Sequence, residues 1–485
     1  MRRIALAVTM AVATAYAAGC KESVVPNLNG PTQDQFSVVN TRAQLQALAT
    51  GLANADRASH GFEVLVFETI GRDLVRFDPA EPRYISRLLG ATLSTSDFIG
   101  NSIWGGPYVN IRGVDLMIAA VSASTGATPT PLTDAEKQAA IGYANTIKAQ
   151  LYIRINQTRD TLGEAIMVNP TSQVPIRCKP AVLAYISSLL DSAATQLKAG
   201  GGAFPFSLPT GFAGFNTPAG FLKFNRALKA EVELYRGFSP NETGGPTAAP
   251  VAANLTTALA VLDSSYYNPT PSRAALDVGI YHTYSTASGE TSNPLFDVSV
   301  FRANAKVITE PVFGGAEPGD LRVQAKVDTA STNRQSTSGS GTTLLASRYL
   351  LRAPSSPSSP IALQRNEELV LWRALILWGL NRDAEAIQMV NVVRTAAGLP
   401  AATVGTLTFA ASGYVGLSSH QLVLRQILHE VRYSLLFESP DRAIFYRMLG
   451  IEAELTKERN QNALAVLPIP NNESVARSGV IACTP

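Results

Sequence analysis

Apolar residues recur three and four positions apart along most of the chain, which is the spacing of amphipathic helices. Three of these stripes follow a capping box, in which a hydroxyl side chain and a side chain three residues later satisfy free backbone donors of the first helical turn. The boxes are Thr41–Gln44, Thr133–Glu136 and Ser418–Gln421. Further helices are expected over residues 104–121, 181–197, 221–236 and 254–262. The pattern predicts an all-α protein.

The segment 366–400 has the most regular pattern. One apolar stripe runs through Trp372 and a second through Val390, and turn residues lie between them at 379–383. Gly398 supplies a left-handed stop after the second stripe. Two helices with a short turn over this length match the period of a tetratricopeptide unit, about 34 residues. With the other helices, this hairpin predicts a tetratricopeptide-like scaffold of helix pairs.

Long irregular stretches interrupt the helical pattern. Residues 200–218 are rich in Gly, Phe and Pro, and residues 328–360 are largely Ser, Thr, Gly and Pro. Loops of this length inside a helical domain usually carry function or are disordered. We therefore expect one helical domain over 38–485, with loop insertions at about 200–218 and 264–362.

The N-terminus has the pattern of an export signal. Arg2 and Arg3 precede fifteen uncharged residues, a run too short to span a bilayer comfortably. The small residues before Cys20 resemble a bacterial lipoprotein signal, so residues 1–19 are expected to be removed and Cys20 to carry lipid. Residues 20–37 would then form a lipid-anchored tether. The alternative is an ordinary secreted protein in which this cysteine is incidental.

Composition and motifs argue against several function classes. Charged residues are 16% of the chain, with 40 basic against 37 acidic and no basic run, so a nucleic-acid partner is not expected. The four histidines lack metal-ligand spacing, and no nucleophile elbow or phosphate-binding loop occurs. No enzyme activity, metal or cofactor is therefore expected.

Several polar residues are expected to have no catalytic role. The acidic pairs Glu367–Glu368 and Glu231/Glu233 fit solvated helix faces, and His429–Glu430 fits a surface or packing pair. Cys178 and Cys483 are equally compatible with a disulfide and with two free thiols.

Six segments, in this order, carry a family resemblance. They are "WGGPYVNIRGVDLMI" (104–118), "AQLYIRINQTRDTLGEAIMVN" (149–169), "FNRALKAEVELYRG" (224–237), the hairpin 366–400, "ILHEVRYSLLFESPDRAIFYRM" (427–448) and "VLPIPNNE" (466–473). On these segments, behind the lipoprotein signal, the chain resembles the SusD/RagB family of outer-membrane nutrient-binding lipoproteins.

The resemblance implies a cell-surface protein, lipid-anchored to the outer membrane, that performs no chemistry. It would bind an oligosaccharide or a peptide and deliver it to a TonB-dependent (SusC-like) outer-membrane barrel. Two other functions stay open: a helical-repeat envelope lipoprotein that acts as a protein-binding scaffold or assembly factor, and a secreted hydrolase whose two carboxylates need no local motif.

Candidate ligand-binding residues follow from composition, because aromatic rings pack on the apolar faces of sugars and polar side chains bind the hydroxyls. The candidates lie in predicted loops and are Arg83, Tyr84, Phe98, Asn101, Tyr266, Tyr267, Tyr281, His282 and Tyr284. For any one of them, packing under a loop is the more common role of such a residue, and ligand contact is the alternative.

Overall fold

The computed structural model describes residues 37–90, 92–124, 131–166, 173–309, 315–329, 331–332, 334–337, 343–404, 416–456, 462, 464–479 and 481–485. The predicted signal peptide, Cys20 and all but the last residue of the predicted tether lie outside these residues.

Helices dominate the described residues, as the sequence predicted. The longer helices are α1 Arg42–Ala55, α2 Arg57–Ile70, α3 Phe98–Ser122, α4 Asp134–Arg159, α5 Lys179–Ala199, α6 Pro218–Gly237, α7 Ala252–Asp263, α8 Asn366–Gly379, α9 Asp383–Ala396, α10 Ser419–Leu435 and α11 Asp441–Met448. Shorter helical turns are Arg83–Ser86, Asp160–Leu162, Thr210–Phe212, Asn241–Gly244, Gly245–Thr247, Arg273–Leu276, Lys306–Thr309, Leu321–Lys326, Glu452–Thr456 and Asn471–Ala476.

The three predicted capping boxes are confirmed. The hydroxyls of Thr41, Thr133 and Ser418 each accept a hydrogen bond from the backbone N–H of the residue three positions later. The side chain of that later residue accepts a hydrogen bond from the backbone N–H of the capping residue. Each box fixes the first turn of α1, α4 or α10, so these helix starts are determined locally.

Successive helices pack on each other. Contacts join α3 to α4 and then each helix to the next up to α10, and α11 returns to contact α2, which packs on α3. The segment 366–400 forms the predicted hairpin of α8 and α9, with Asn381 at φ +59° in its turn and Gly398 at φ +74° beyond its end. The predicted scaffold of helix pairs is confirmed.

Short strands lie mostly within the region predicted as loop. They are β1 Leu74–Arg76, β2 Gly279–His282, β3 Phe301–Ala303, β4 Val327–Asp328, β5 Arg334–Thr337, β6 Thr343–Ser347, β7 Leu350–Leu351 and β8 Ile361–Arg365. All pairs are antiparallel, in the order β1-β3-β7-β4 and as the ribbons β2-β8 and β5-β6. The interpretation of 264–362 as irregular was therefore incomplete, because strands of two to five residues are too short to show an alternating pattern.

The interpretation of the acidic pairs as solvated helix faces was wrong. Glu231, Glu233, Glu367 and Glu368 are all buried, with Glu367 at 0% and Glu368 at 5% exposure. Glu430 is also fully buried. These buried carboxyl groups belong to α6, α8 and α10, so the interior of the helical stack is partly polar.

Candidate functional site

A cleft of about 530 Å³ lies beside the β2–β8 ribbon. It is lined by Asp277, Tyr281, Leu295, Ala325, Arg352, Ala353, Pro354, Ser355, Ser359, Pro360, Ile361, Ala362, Arg365, Phe437 and Glu438. Sites for small molecules and cofactors are typically clefts of about 300–1,000 Å³ with apolar walls and a few placed polar groups. This cleft has that size and that mixture, and we refer to it as the Tyr281 cleft.

The β2–β8 ribbon places Tyr281 in the wall of the cleft. Gly279 pairs with Arg365, and the register shifts between Ile280 and Tyr281. Ile280 is buried, whereas the ring of Tyr281 is partly exposed. Its hydroxyl donates to the carbonyl oxygen of Asp277 at 2.5 Å, and burial raises the pKa of this phenol. The ring is therefore held in place with part of its surface open to the cleft.

The buried guanidinium of Arg365 holds the carboxylates of Asp277 and Glu438 in the cleft wall. Arg365 Nη1 lies 3.1 Å from Asp277 Oδ1 and 2.5 Å from Glu367 Oε2, and its Nη2 pairs with Glu438. Arg352 contributes a second guanidinium with 56% of its side chain exposed, 3.6 Å from Asp328 Oδ1. The cleft thus offers donors and acceptors side by side, which suits a ligand rich in hydroxyl groups.

The structure separates Tyr281 from its predicted neighbours. His282 and Tyr284 are buried. The ring of His282 lies edge-on to that of His60, 5.8 Å between centroids, and the hydroxyl of Tyr284 donates to the carbonyl oxygen of Arg57 at 2.8 Å. These two side chains pack the ribbon against α2 and do not line the cleft.

Arg83, Tyr84, Phe98 and Asn101 lie elsewhere and are not in a loop. The first two form the turn Arg83–Ser86, and the others belong to the first turn of α3. Tyr84 is buried with its ring 5.7 Å from that of Phe98, and the guanidinium of Arg83 lies 4.7 Å over the Phe98 ring. The guanidinium covers the ring and is itself paired with Glu81.

Tyr266 and Tyr267 follow α7 and make packing contacts. The Tyr266 hydroxyl donates to Gln364 Oε1 on β8 at 3.0 Å, and the Tyr267 hydroxyl donates to Met389 Sδ at 2.9 Å. Tyr266 thus supports the strand that forms the cleft without lining it.

Sequence reasoning missed most of the lining residues. Asp277, Arg352 and Arg365 lie in segments without a motif, and only the tertiary fold brings them to one cleft. A weak signal did exist for Glu438, because it belongs to the family-like segment 427–448. Arg352 lies among Pro and Ser residues, and this composition does not predict which residues its side chain contacts.

One group in the described part of the chain has metal-like spacing: Glu317, His429 and Glu430. Arg394 Nη1 lies 2.6 Å from Glu317 Oε1 and 2.7 Å from Glu430 Oε1, and Arg322 Nη1 lies 2.7 Å from Glu430 Oε2. Two guanidinium groups already neutralise the carboxylates, so the cluster does not fit a metal ion.

Cys178 and Cys483 are joined by a disulfide, with their Cα atoms 4.9 Å apart. Backbone bonds from Cys178 N to Thr484 O and from Thr484 N to Ile176 O, both 2.8 Å, hold the same contact. Within the described residues, no helix combines the length and apolar character needed to cross a membrane.

Comparison with known proteins gives matches among solved structures. No family model matches the chain, and no curated protein matches it. NanU of B. fragilis aligns with TM-score 0.64 and 17% identity over 93% of this chain and 98% of its own. A SusD superfamily protein from Bacteroides vulgatus aligns with TM-score 0.61 and 14% identity over 94% and 98%. Surface glycan-binding protein A from Bacteroides thetaiotaomicron aligns with TM-score 0.62 and 12% identity over 92% and 98%. The chain therefore has a SusD-like fold, as its sequence motifs predicted.

Proposed function

We propose that this protein is a cell-surface lipoprotein that binds an oligosaccharide in the Tyr281 cleft and passes it to a TonB-dependent outer-membrane barrel. The observation that carries the proposal is a ligand-sized cleft with a held aromatic ring, in a fold similar over nine-tenths of its length to a surface glycan-binding protein. The lipid anchor and the barrel partner rest on the lipoprotein-like signal ending at Cys20 and on the family-like segments.

The chemistry of the cleft supports a sugar ligand. The exposed part of the Tyr281 ring offers an apolar surface at low entropic cost, because its hydroxyl is already bonded to the backbone. Sugar hydroxyls donate and accept, so they match the alternation of carboxylate and guanidinium from Asp277 to Arg352. The cleft therefore has groups that can contact both the ring faces and the hydroxyl groups of an oligosaccharide.

The same geometry favours binding over hydrolysis. A glycosidase needs one carboxylic acid that holds a proton for the leaving group and a second carboxylate. In the cleft, Asp277 and Glu438 both accept from the guanidinium of Arg365. Neither is arranged as a proton donor, so we assign the cleft a capture role.

Two substitutions at one position test the cleft. Tyr281→Ala removes the ring, and we expect oligosaccharide affinity to fall about tenfold, roughly 1.4 kcal/mol. Tyr281→Phe keeps the ring and loses only the hydroxyl, so its affinity should stay within about twofold if ring packing carries binding. A glycan array identifies the ligand, and calorimetric titration measures both variants. If Tyr281→Ala binds the oligosaccharide as tightly as wild type, the Tyr281 cleft is not the binding site.

A second pair of variants tests the rim. Arg352→Ala should weaken the same ligand, whereas Arg348→Ala removes an exposed arginine outside the cleft and should leave affinity unchanged. If the array is empty and a peptide library binds instead, loss of that binding in Tyr281→Ala would keep the site and change the ligand class.

The partner is tested separately. Purification of the protein from detergent extracts of its native envelope should recover a TonB-dependent barrel. Recovery of other envelope proteins, with no barrel and no glycan binding, would favour the scaffold function.

A further inference from the structure

A small cavity of about 40 Å³ lies between helices of the stack and the strand β8. Its walls come from α2, α4, α6, α8, β8 and the segment that enters α11. A cavity needs about 10–15 Å³ of this kind of volume to hold a water molecule. The space admits water and is too small for any sugar.

Three carboxyl groups from three helices line this cavity: Glu231 of α6, Glu368 of α8 and Asp441 of α11. We call them the acid cluster. All three are buried. Glu231 Oε1 accepts from Gln157 Nε2 and from the Tyr235 hydroxyl, each at 2.8 Å, and Asp441 Oδ2 accepts from Trp372 Nε1 at 2.9 Å. These donors are all neutral.

Two buried cations, one in the cavity wall and one near Glu368, are bound to other carboxylates. Arg154 of α4 pairs with Asp56, and its Nη2 lies 2.5 Å from Glu63 Oε2 of α2. Arg365 of β8 pairs with Glu367 and with Glu438, which itself lines the cavity. Five carboxyl groups and one guanidinium group therefore line this cavity, and like charges buried near one another disfavour ionisation of all of them.

An independent observation points to bound water. His60 Nδ1 and Glu63 Oε1 belong to residues that line the cavity, at 6% and 1% exposure, and neither atom has a hydrogen-bond partner among the described residues. Buried polar atoms of this kind are normally satisfied by ordered water where the space allows it.

We propose that this cavity is a proton-binding site, in which ordered water and at least one proton are shared among Glu231, Glu368 and Asp441 at neutral pH. The proton holds three helices together at a point where three ionised carboxylates would repel. The Tyr281 cleft and this cavity share Ala362 and Glu438 in their walls, so the site lies directly behind the proposed binding cleft.

The expected titration agrees with this geometry. Burial raises the pKa of Glu231 to about 8 and that of Asp441 to about 6, and burial with the neighbouring Asp441 raises the pKa of Glu368. Asp441 is the first residue of α11, where the helix dipole favours the charged form. A carboxyl whose pKa rises on folding contributes stability that is fully present below its unfolded value, about 4. That contribution is lost as the pH rises through the folded value.

The test compares the stability of variants in which glutamine, which has nearly the same shape, replaces one buried glutamate. Glu231→Gln and Glu368→Gln remove an ionisable group and keep its shape, so each variant should lose less stability than wild type between pH 5 and pH 9. Glu367→Gln is the matched control: its carboxylate pairs with Arg365 and Arg273, which hold its pKa at about 2 against the effect of burial. This control should be less stable than wild type at both pH values. Urea unfolding followed by circular dichroism gives the free energies.

Proton release gives a second readout. Unfolding exposes the acid cluster, so at pH 7 wild type should release about one more proton than Glu231→Gln, measured by calorimetry in two buffers of different ionisation enthalpy. Equal proton release, or variants equally weakened at pH 5 and pH 9, would overturn the proposal. Stabilisation at pH 9 by added sodium or calcium would also overturn it, because a metal ion would then occupy the site.

Discussion

Arg394 shows what a residue of the family-like hairpin does in the fold. Its guanidinium lies between Glu317 and Glu430, 2.6 Å and 2.7 Å from their oxygens, while Arg322 pairs with the other oxygen of Glu430. Burial alone would raise the pKa of Glu430, but Arg322, His429 and Arg394 together lower it. The residue therefore neutralises a fully buried carboxylate where α9 meets α10.

Arg394→Ala should lower the free energy of unfolding by about 3–5 kcal/mol at pH 7, because it leaves Glu430 buried without one of its partners. A carboxyl with a lowered folded pKa contributes stability that is present above the unfolded value of about 4 and lost as the pH falls through the folded value. The difference from wild type should therefore shrink in acid.

The control is Arg382→Ala, which breaks an exposed pair with Glu385 and should cost less than about 1 kcal/mol. Urea titrations at pH 7 and pH 3.5 measure both variants. An equal cost for the two arginines would show that the buried contact does not carry the stability assigned to it.

Single residues also mark the limit of what the sequence predicts. Glu367 and Glu368 were interpreted as one solvated pair, yet both are buried and their pKa values move in opposite directions. Burial and the neighbouring Asp441 raise the pKa of Glu368, whereas Arg365 and Arg273 lower that of Glu367 against the effect of burial. Hydrophobic periodicity depends only on residues within one helix or strand. It therefore cannot predict that a charged residue is buried when its partner belongs to another helix or strand.

Among helices and strands, the sequence predicted correctly those features that depend on residues close together in the chain. The capping boxes and the α8–α9 hairpin were predicted because each depends on residues within one or two turns. The start of α3 was predicted at residue 104 and lies at Phe98, so the helix is about one and a half turns longer at this end than predicted. The β2–β8 ribbon was missed because its two strands are four and five residues long and some eighty positions apart.

Close helix packing gives a prediction for this scale. A Cβ at Gly142 of α4 would lie 2.9 Å from the backbone nitrogen of Leu197 and 3.1 Å from the carbonyl oxygen of Ala193, both on α5. Gly142→Ala should therefore destabilise the protein by about 1–3 kcal/mol, because backbone atoms cannot rotate away.

Gly105→Ala on α3 is the matched control, since a Cβ there meets no atom within 4 Å among the described residues. Alanine restricts the unfolded chain and favours helix, so this variant should gain about 0.5–1 kcal/mol. Thermal and urea unfolding compare the two. Changes of the same sign would mean that α4 and α5 do not approach as closely as described.

The three cysteines give a prediction for the whole molecule. Cys178 and Cys483 form a disulfide across 305 positions, which fixes the C-terminal segment to the start of α5. Cys20 is then the remaining cysteine, and it is the residue on which the proposed anchor depends. The thiol count of the mature protein therefore reports the disulfide and the lipid together.

Protein isolated from its native envelope and denatured should show no alkylatable thiol before reduction and two after it. A free Cys20 would give one thiol before reduction and three after it, and an open disulfide would add two to the first count. Wild type should enter the detergent phase on phase separation, since two or three acyl chains anchor a protein stably where one does not. Cys20→Ala should give the same thiol counts but stay in the aqueous phase. If wild type also stays there, or if mass spectrometry finds residue 20 unmodified, the proposed surface tether and delivery to a barrel lose their support.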